Sequence, residues 1–356
     1  FCGEAEPGLP LLLKPGAGRS METLAGIPGL IYRDGNVIRT NPRAIVQDLA
    51  SLGFPAWDLM PPNTYPDSPQ GAIYRNFPTA PVLTSRGCPY DCTFCGSPVN
   101  MTRHYRTRPI AHVLDEVELL CRQYGVREIH IIDDMFSLQK ERVIAFCDGL
   151  VERQLQISYT FPNGLRLNSL DREMLLRMKE TGVYAFTVGI ESGSDPILQA
   201  MKKGLTTDFI RRQVTLIAEC GLEPSGFFIL GFPGETRGDM EATLRFSRSL
   251  PLVRAHFSNY LPLPGTESTR ELYERGEVQP GNWDALAYYE TPYAPEGMTP
   301  SGLKKIQRKA FLRFYLRPRI LLRLVLEVQS LRHLRGLVRR ARDYLLSRDR
   351  KETFLT

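Results

Sequence analysis

The chain lacks the features of membrane-spanning and secreted proteins. It has no run of about eighteen apolar residues, so the sequence predicts no helix that crosses a membrane. It shows no secretory signal, and its seven cysteines are not arranged as a disulfide framework. These absences predict a cytoplasmic protein that functions in a reducing environment.

A second pair of closely spaced cysteines is also absent. Cys2, Cys121, Cys147 and Cys220 stand alone, and the last three fall at apolar helical positions, where a small buried side chain is expected. A structural zinc site needs four ligands close together in a small unit. Zinc therefore remains an alternative only if His104 or a distant cysteine completes the site.

Three cysteines do lie close together, in the stretch "TSRGCPYDCTFCGSP". Cys88, Cys92 and Cys95 form a CxxxCxxC spacing. Three thiolates hold three irons of a 4Fe-4S cube, whereas clusters for plain electron transfer are held by four. One iron then stays open, and an open position separates a metal site for chemistry from one for structure.

This stretch resembles the signature of the radical S-adenosylmethionine (SAM) superfamily. The resemblance implies a 4Fe-4S cluster on Cys88, Cys92 and Cys95 that binds SAM through its amino and carboxylate groups. It also implies reductive cleavage of SAM to methionine and a 5'-deoxyadenosyl radical, with the electron supplied by a donor such as flavodoxin or ferredoxin. Phe94 matches the aromatic residue that lies near the adenine, and Gly96 is expected in the same cofactor-binding loop.

From about residue 80 the chain alternates strand and helix patterns, which predicts an α/β fold. Six strand patterns separated by helices imply parallel βαβ units and hence a partial (β/α)6 TIM-like barrel. We expect the barrel over residues 76–295, a short N-terminal linker subdomain over 1–75 and a C-terminal helical segment over 296–356. Active sites of such barrels lie at the carboxyl ends of the strands.

Polar residues follow the second and third predicted strands. Asp133 and Asp134 end the second, and the resemblance implies that this motif holds the SAM amino group; alternatively, one of them caps the next helix. Arg166 follows the third strand and is a candidate for binding the SAM carboxylate. The alternative for Arg166 is a surface ion pair.

The fourth predicted strand ends in "GIESGSDP". A lone carboxylate at the end of an apolar strand is costly unless it is satisfied, and the resemblance matches Glu191 to the ribose-contacting position. Ser192, Gly193 and Ser194 would let the backbone approach a ligand closely. The alternative is a helix start capped by Ser194 or Asp195.

The fifth predicted strand ends in "FFILGFPGET", where the resemblance implies that amides near Gly231 touch the adenine. The alternative is an ordinary strand-to-helix turn. "NYLPLPGTES" after the sixth strand resembles the close of the same barrel, so matching motifs follow in order over about residues 80–270.

Residues 1–75 contain "GEAE", then a hairpin pattern at Asp34-Gly35, then "DLASLGFPAWDLMP". This order resembles the segment that joins a cobalamin-binding domain to the barrel in cobalamin-binding radical SAM proteins. The DxHxxG loop of the cobalamin fold is not in this sequence, and the chain begins at Phe1 rather than methionine. We therefore expect a truncated chain whose cobalamin would be bound by a domain largely outside it.

The resemblance implies several reactions on a small-molecule substrate. One is class B methyl transfer from methylcobalamin to an unactivated carbon of a lipid-like or tetrapyrrole substrate. Others are oxidative cyclisation, as in the oxygen-independent magnesium-protoporphyrin ester cyclase, or rearrangement. A methylthiotransferase normally has a second cysteine-bound cluster upstream, and only Cys2 precedes Cys88 here. A non-enzymatic alternative is an iron-sulfur regulatory protein.

The last segment, Ser301–Thr356, has sixteen Lys and Arg against four Asp and Glu, a net charge of +12 in a chain of net +6. Apolar residues at helical steps predict amphipathic helices broken near Pro318. They are Phe311, Phe314, Tyr315, Ile320, Leu321, Leu324 and Leu331. The segment is interpreted as a helical cap on the barrel or as a peripheral membrane contact. Nucleic-acid binding is least favoured.

Two further groups of residues are expected near the barrel mouth. The first follows the cysteine loop and either contacts anionic groups or is solvated; its members are Arg103, Tyr105, Arg106 and Arg108. Aromatic residues after the last strand either cover the opening or pack in the interior. These are Trp283, Tyr288, Tyr289 and Tyr293.

Overall fold

The computed structural model describes residues 1–14, 20–65, 75–281, 286 and 291–326. The structural account below concerns these residues. Four of the predicted positions lie outside them: Trp283, Tyr288, Tyr289 and Leu331.

The described residues form strands and helices that alternate through the middle of the chain. The strands are β1 (Ile31–Asp34), β2 (Val37–Thr40), β3 (Thr79–Val82), β4 (Ser85–Arg86), β5 (Arg106–Thr107), β6 (Glu128–Ile131), β7 (Ser158–Thr160), β8 (Ala185–Glu191), β9 (Glu223–Leu230) and β10 (Arg254–Asn259). The helices are α1 (Leu9–Leu13), α2 (Met21–Ala25), α3 (Ser97–Met101), α4 (Ile110–Tyr124), α5 (Lys140–Glu152), α6 (Arg172–Glu180), α7 (Asp195–Ala200), α8 (Thr207–Glu219), α9 (Arg237–Ser249), α10 (Glu267–Glu274), α11 (Pro300–Tyr315) and α12 (Pro318–Leu326).

Six parallel strands form the wall of the barrel. β3, β6 and β7 pair in one sheet and β8, β9 and β10 in another. Parallel bridges from Tyr159 to Val183 and from Leu165 to Val188 join the two sheets. Within the described residues no ladder pairs β3 with β10, so the wall is open between them. The predicted partial α/β barrel is confirmed.

The helices pack one apolar face against this wall. In α4, Val113, Val117 and Leu120 recur at three- and four-residue steps and are fully buried. Gly125 ends the helix with a left-handed φ of 65°, as the sequence predicts. Burial of each such side chain contributes about 1.5–3 kcal/mol. Leu120→Ala would therefore destabilise the barrel by roughly 2–5 kcal/mol.

The N-terminal segment is tied to the barrel by buried ion pairs. The predicted hairpin forms between β1 and β2 at Asp34-Gly35. Arg106 binds Glu4 with both terminal nitrogens, at 2.7 and 2.9 Å. Burial raises the pKa of Glu4, but hydrogen bonds from Arg106 and the Val46 amide outweigh it, and the pKa is lowered.

Arg108 is also internal, since it pairs with Glu116, which accepts a hydrogen bond from Trp57. Arg106 and Arg108 thus hold the fold together, and the prediction that they bind anionic groups or remain solvated is wrong for both.

The C-terminal helices break where the sequence predicts, just before Pro318. α11 packs on β10 and α9, and Leu303, Ala310 and Phe314 are buried in the barrel core. In α12, Leu322 and Leu326 are exposed. No described helix combines the length and the hydropathy required to cross a bilayer. The boundaries after residues 75 and 295 remain predictions.

Candidate active site

The cysteine loop starts from a short antiparallel pair, β4 with β5, which the sequence did not predict. Gly87 has a φ of +89°, and a Cβ there would lie 2.2 Å from the carbonyl oxygen of His104. The Cys88 amide donates to the Thr102 carbonyl at 3.3 Å. Only glycine allows this close approach, which fixes the position of the first cysteine.

Cys88, Cys92 and Cys95 are free and half-buried. Burial raises the pKa of Cys88 and raises the pKa of Cys95 to about 11, and the neighbouring thiols add to both shifts. The three sulfurs therefore lie within electrostatic reach of one another, and a metal would have to displace their protons. This donor set fits a 4Fe-4S cluster held by three cysteines.

Cys147 and Cys220 are buried in the helical layer, as predicted, and Cys121 is half-buried on α4. Among the described residues no three His, Cys, Asp or Glu side chains converge tightly enough to hold a metal ion as they stand. The cluster assignment therefore depends on the spacing, the free thiols and the family, and not on a closed set of ligands.

Two short helices hold the middle of the loop. The sequence indicated a helix start at the position of α7 only as an alternative, and it did not predict α10. The Thr93 amide donates to the Met201 carbonyl at 3.1 Å, at the end of α7. The Thr93 carbonyl accepts from both the amide and the hydroxyl of Ser268, in α10. The cysteine loop follows β3 and β4, whereas α10 follows β10. The bonds to Ser268 therefore connect the two sides of the gap between β3 and β10.

Phe94 lies at the edge of a second apolar cluster that includes Phe232, Tyr260 and Met201. It is half-buried, and its place near the adenine stays a prediction. Gly96 precedes α3, where the Ser97 amide donates to the Cys95 sulfur at 3.5 Å. A Cβ on Gly96 would meet nothing closer than 3.5 Å, so packing does not require glycine there.

The two aspartates after β6 differ in their surroundings. Asp133 is buried and accepts bonds from the Thr84 amide, the Thr84 hydroxyl and the Ser85 hydroxyl, at 2.5–2.6 Å. Burial raises the pKa of Asp133, although these hydrogen bonds oppose the shift. Asp134 is half-exposed and close enough to raise the pKa of Cys88. The contacts therefore favour Asp134 for a ligand and Asp133 for holding the start of the loop.

Glu191 ends β8 in a strained conformation. Its φ is +67°, at an irregularity in the pairing of β8 with β9. Its carboxylate forms a buried ion pair with Lys203 at 2.7 Å. A Cβ on Gly189 would lie 2.6 Å from the Glu191 carboxylate and 2.7 Å from the Lys203 ammonium, so glycine makes room for the pair.

Lys203 and Gly189 were not predicted. Lys203 lies 12 residues after Glu191, but a lysine gives no indication in sequence that it is buried. Only the ion pair identifies it.

The SGS turn after Glu191 faces a helix rather than an open site. The Ser192 hydroxyl lies 3.2 Å from that of Thr243, and a Cβ on Gly193 would lie 2.6 Å from Phe246 in α9. Ser194 donates to Asp239 and makes no side-chain cap. The close approach expected for a ligand is made to α9, so these contacts do not favour Ser192 as a SAM contact, and that role stays a prediction.

Gly231 is held in a turn by a carboxylate that the sequence analysis missed. Its amide and that of Phe232 donate to one oxygen of Glu235, at 2.5 and 3.1 Å. A Cβ on Gly231 would meet Leu303 at 2.4 Å. Glu235 is 1% exposed, its second oxygen has no partner among the described residues, and burial raises its pKa to about 8. The Gly231 amide is thus already committed, and its contact with adenine stays a prediction.

Arg166 is neither on the surface nor in an ion pair that the structure describes. It is 8% exposed and donates to the Cys92 sulfur at 3.5 Å. The surface alternative is therefore wrong. Tyr293 is also internal and packs edge-on against Tyr260, so it does not cover the opening.

Comparisons with known proteins identify the family of this chain. The model of the radical SAM superfamily matches residues 82–247. An uncharacterized methyltransferase of Pyrococcus horikoshii is 32% identical over 89% of this chain and 68% of its own length. The anaerobic magnesium-protoporphyrin IX monomethyl ester cyclase of Cereibacter sphaeroides is 27% identical over 88% of this chain, which spans only 51% of that protein. Both relatives are named as enzymes, which gives no support to the regulatory alternative.

Solved structures show the same fold. The cobalamin-dependent SAM radical enzyme OxsB, with aqua-cobalamin bound, has a TM-score of 0.68 and 16% identity, and covers 96% of this chain and 54% of its own. The radical SAM methyltransferase TsrM of Kitasatospora setae, with tryptophan and a SAM analogue bound, has a TM-score of 0.62 and 22% identity, over 90% of this chain and 61% of its own. The chain belongs to the radical SAM superfamily.

Proposed function

We propose that this chain cleaves SAM at a 4Fe-4S cluster bound by Cys88, Cys92 and Cys95 and uses the radical in cobalamin-dependent methylation of an unactivated carbon. The observation that carries the proposal is the three-thiol loop, fixed at the carboxyl ends of the strands across the open side of the barrel. The cluster, when bound, supplies the electron that breaks the carbon-sulfur bond of SAM.

The residues around the loop would bind and orient SAM. Asp134 would accept hydrogen bonds from its ammonium group, since this carboxylate is half-exposed beside Cys88. Glu191 would accept from the ribose hydroxyls while Lys203 holds its carboxylate in place. Phe94 would lie against the adenine. The apolar cluster behind Phe94 would exclude water from the nucleoside.

The finer reaction is supported by the relatives. One is named a methyltransferase, and the two solved structures are cobalamin-dependent or cobalamin-bound radical SAM enzymes. The chain spans between about half and two thirds of these proteins. We propose that cobalamin is bound by a domain that lies largely outside this chain, with residues 1–75 as the connecting segment.

The test begins with anaerobically reconstituted protein, dithionite and SAM. We expect 5'-deoxyadenosine and methionine, and we expect full-length protein to copurify with a corrinoid. The Cys92→Ala variant is the control, since it removes one cluster ligand. An intact cluster that never cleaves SAM would refute the enzymatic proposal, and a full-length protein without corrinoid would refute only the cobalamin step.

A second candidate is oxidative cyclisation of a tetrapyrrole, favoured by the cyclase relative that aligns with 88% of this chain. The two candidates differ in their products. Methylation gives a substrate that is heavier by the mass of CH2, and label from methyl-labelled SAM enters it. Cyclisation gives a product without that label.

The protein also needs an electron donor, for which we propose a flavodoxin or ferredoxin. We propose a cytoplasmic location with peripheral membrane contact through residues 301–356, because Leu321, Leu322 and Leu326 are exposed on α12 beside arginines. Such contact would suit a lipid-like substrate. Co-sedimentation with anionic liposomes should be lost when the exposed Leu321, Leu322 and Leu326 are replaced by Glu, which spares the core contacts of α11. Binding unaffected by these substitutions would contradict the proposed contact.

A further inference from the structure

Arg166 contacts two residues of the cysteine loop, Tyr90 and Cys92. Its Nη1 donates to the Cys92 sulfur at 3.5 Å, and its guanidinium lies 3.7 Å from the centre of the Tyr90 ring. Both partners belong to the loop, on either side of Asp91. The loop thus contacts the guanidinium through one sulfur and one aromatic face.

The other nitrogens of Arg166 fix its direction. Nε donates to the Asn168 side chain at 2.9 Å, and Nη2 donates to the Lys203 carbonyl. A planar guanidinium held on two edges has little freedom to turn away. The donor that points at Cys92 is therefore preorganised.

The charge of Arg166 is not cancelled nearby. Its four contacts are an amide oxygen, a carbonyl, a ring and a sulfur, and none of them is a carboxylate. The neighbouring Lys203, by contrast, is paired with Glu191. Burial of a cation is unfavourable unless an opposite charge compensates it. In the described part of the chain Arg166 forms no ion pair with a carboxylate, and the thiolate of Cys92 in a bound cluster would supply an opposite charge at its Nη1.

We propose that Arg166 raises the reduction potential of the cluster through its N–H to sulfur hydrogen bond and its uncancelled charge. This rests on the proposed ligation by Cys88, Cys92 and Cys95. Reduction moves one electron from an external one-electron donor to the cluster, which becomes more negative by one charge. Hydrogen bonds to the sulfurs and nearby positive charge favour that state. Arg166 is a positioning residue. Through the reduction potential of the cluster, it sets how low the potential of the external electron donor must be.

The test is a potentiometric titration, followed by electron paramagnetic resonance (EPR), of the anaerobically reconstituted protein. Arg166→Met removes the donor and the charge, Arg166→Gln keeps a planar amide donor, and Arg166→Lys keeps the charge. We expect Arg166→Met to lower the ratio of reduced to oxidised cluster at a fixed potential at least tenfold, which is about 59 mV for a one-electron couple. The Gln and Lys variants should fall between it and the wild type.

Arg172→Met is the matched control, since Arg172 is an exposed arginine of α6 paired with Glu219. Its potential should equal that of the wild type. Equal potentials for Arg166→Met and Arg172→Met, at equal iron and sulfide content, would overturn the proposal. A purely structural role would change the cluster content and leave the potential of the remaining clusters unmoved.

A second measurement needs no variant and decides the case if the Arg166 variants bind no cluster. Wild-type protein is labelled with arginine carrying 15N only in the guanidinium, and the reduced cluster is examined by pulsed EPR. Coupling of 15N to the cluster is expected, and its absence would overturn the proposal. A wild type that holds no 4Fe-4S cluster would instead refute the proposed function on which this inference rests.

Discussion

At the amino ends of the strands, Glu128 is fully buried and fully satisfied, whereas the carboxyl ends keep buried groups that are strained or incompletely paired. Glu128 accepts from the amides of Arg75 and Asn76 at 2.8 Å and from Tyr184 at 2.9 Å, and His130 lies 3.3 Å away. At the other end, Glu235 has a partnerless oxygen and Glu191 a positive φ. A fold tolerates such strain where it binds ligands, which places stability at one end and chemistry at the other.

The largest effect is expected from the cysteines. Cys92→Ala should abolish cluster binding and lower 5'-deoxyadenosine formation by at least roughly 1,000-fold, because no other group in the loop can replace the thiolate. Circular dichroism should show an intact barrel. Retention of a full complement of iron would contradict the assignment, and Cys220→Ala is the control, since Cys220 is buried in the helical layer.

At the opposite end, Glu128→Ala should destabilise the fold without touching the chemistry. It leaves the half-buried hydrogen-bond donors of Arg75, Asn76 and Tyr184 without an acceptor, which costs about 2–4 kcal/mol of unfolding free energy. Denaturant unfolding measures the loss. If the folded variant had a changed affinity for SAM, the separation of stability at the amino ends of the strands from chemistry at their carboxyl ends would be contradicted.

The two aspartates after β6 should also differ in effect, one acting on SAM binding and the other on stability. Asp134→Asn should weaken SAM binding about tenfold with little change in stability, because a half-exposed carboxylate loses one charge-assisted contact. Asp133→Asn should cost about 1–3 kcal/mol of stability, since it disturbs the bonds to Thr84 and Ser85. Equilibrium SAM binding and thermal unfolding give both numbers, and the reverse pattern would contradict the assignment.

The smallest effect, taken per pH unit, is a pH dependence from Glu235, whose pKa is raised from 4.5 to about 8. Between these values the folded protein keeps a proton that the unfolded chain releases, so the contribution of Glu235 to stability is fully present below pH 4.5 and is lost as the pH rises toward 8. The contribution falls by at most about 1.4 kcal/mol per pH unit. We expect the unfolding free energy of the wild type to fall relative to that of Glu235→Gln as the pH rises across this range, and a constant difference between the two proteins would contradict the buried, protonated Glu235.

The sequence was sufficient for the barrel because strand and helix periods leave a pattern in every βαβ unit. α4 and its end at Gly125 follow directly from apolar spacing and one glycine. The short helix α10 and the β4–β5 pair were missed, and α7 was predicted only as an alternative. Each is at most eight residues long, too short to establish a period. Their positions depend on contacts made across the chain, such as those of Thr93.

The site could be predicted in outline and not in detail. The CxxxCxxC spacing and Glu191 are visible because cysteines and a lone carboxylate after a strand are unusual. Lys203 and Glu235 are not, because only burial distinguishes them from ordinary surface charges. The sequence also could not show which of Asp133 and Asp134 is buried and which is half-exposed. Nor could it show that Ser192 contacts α9, since packing sets the direction of each side chain.

The central claim is that three cysteines leave one iron of a 4Fe-4S cluster open for SAM. Mössbauer spectroscopy of 57Fe-reconstituted protein, with and without SAM, tests it most directly. We expect four irons per chain and one iron site whose signal changes when SAM binds. Tetrahedral zinc in the loop, or a cluster whose four irons are all unaffected by SAM, would contradict the account.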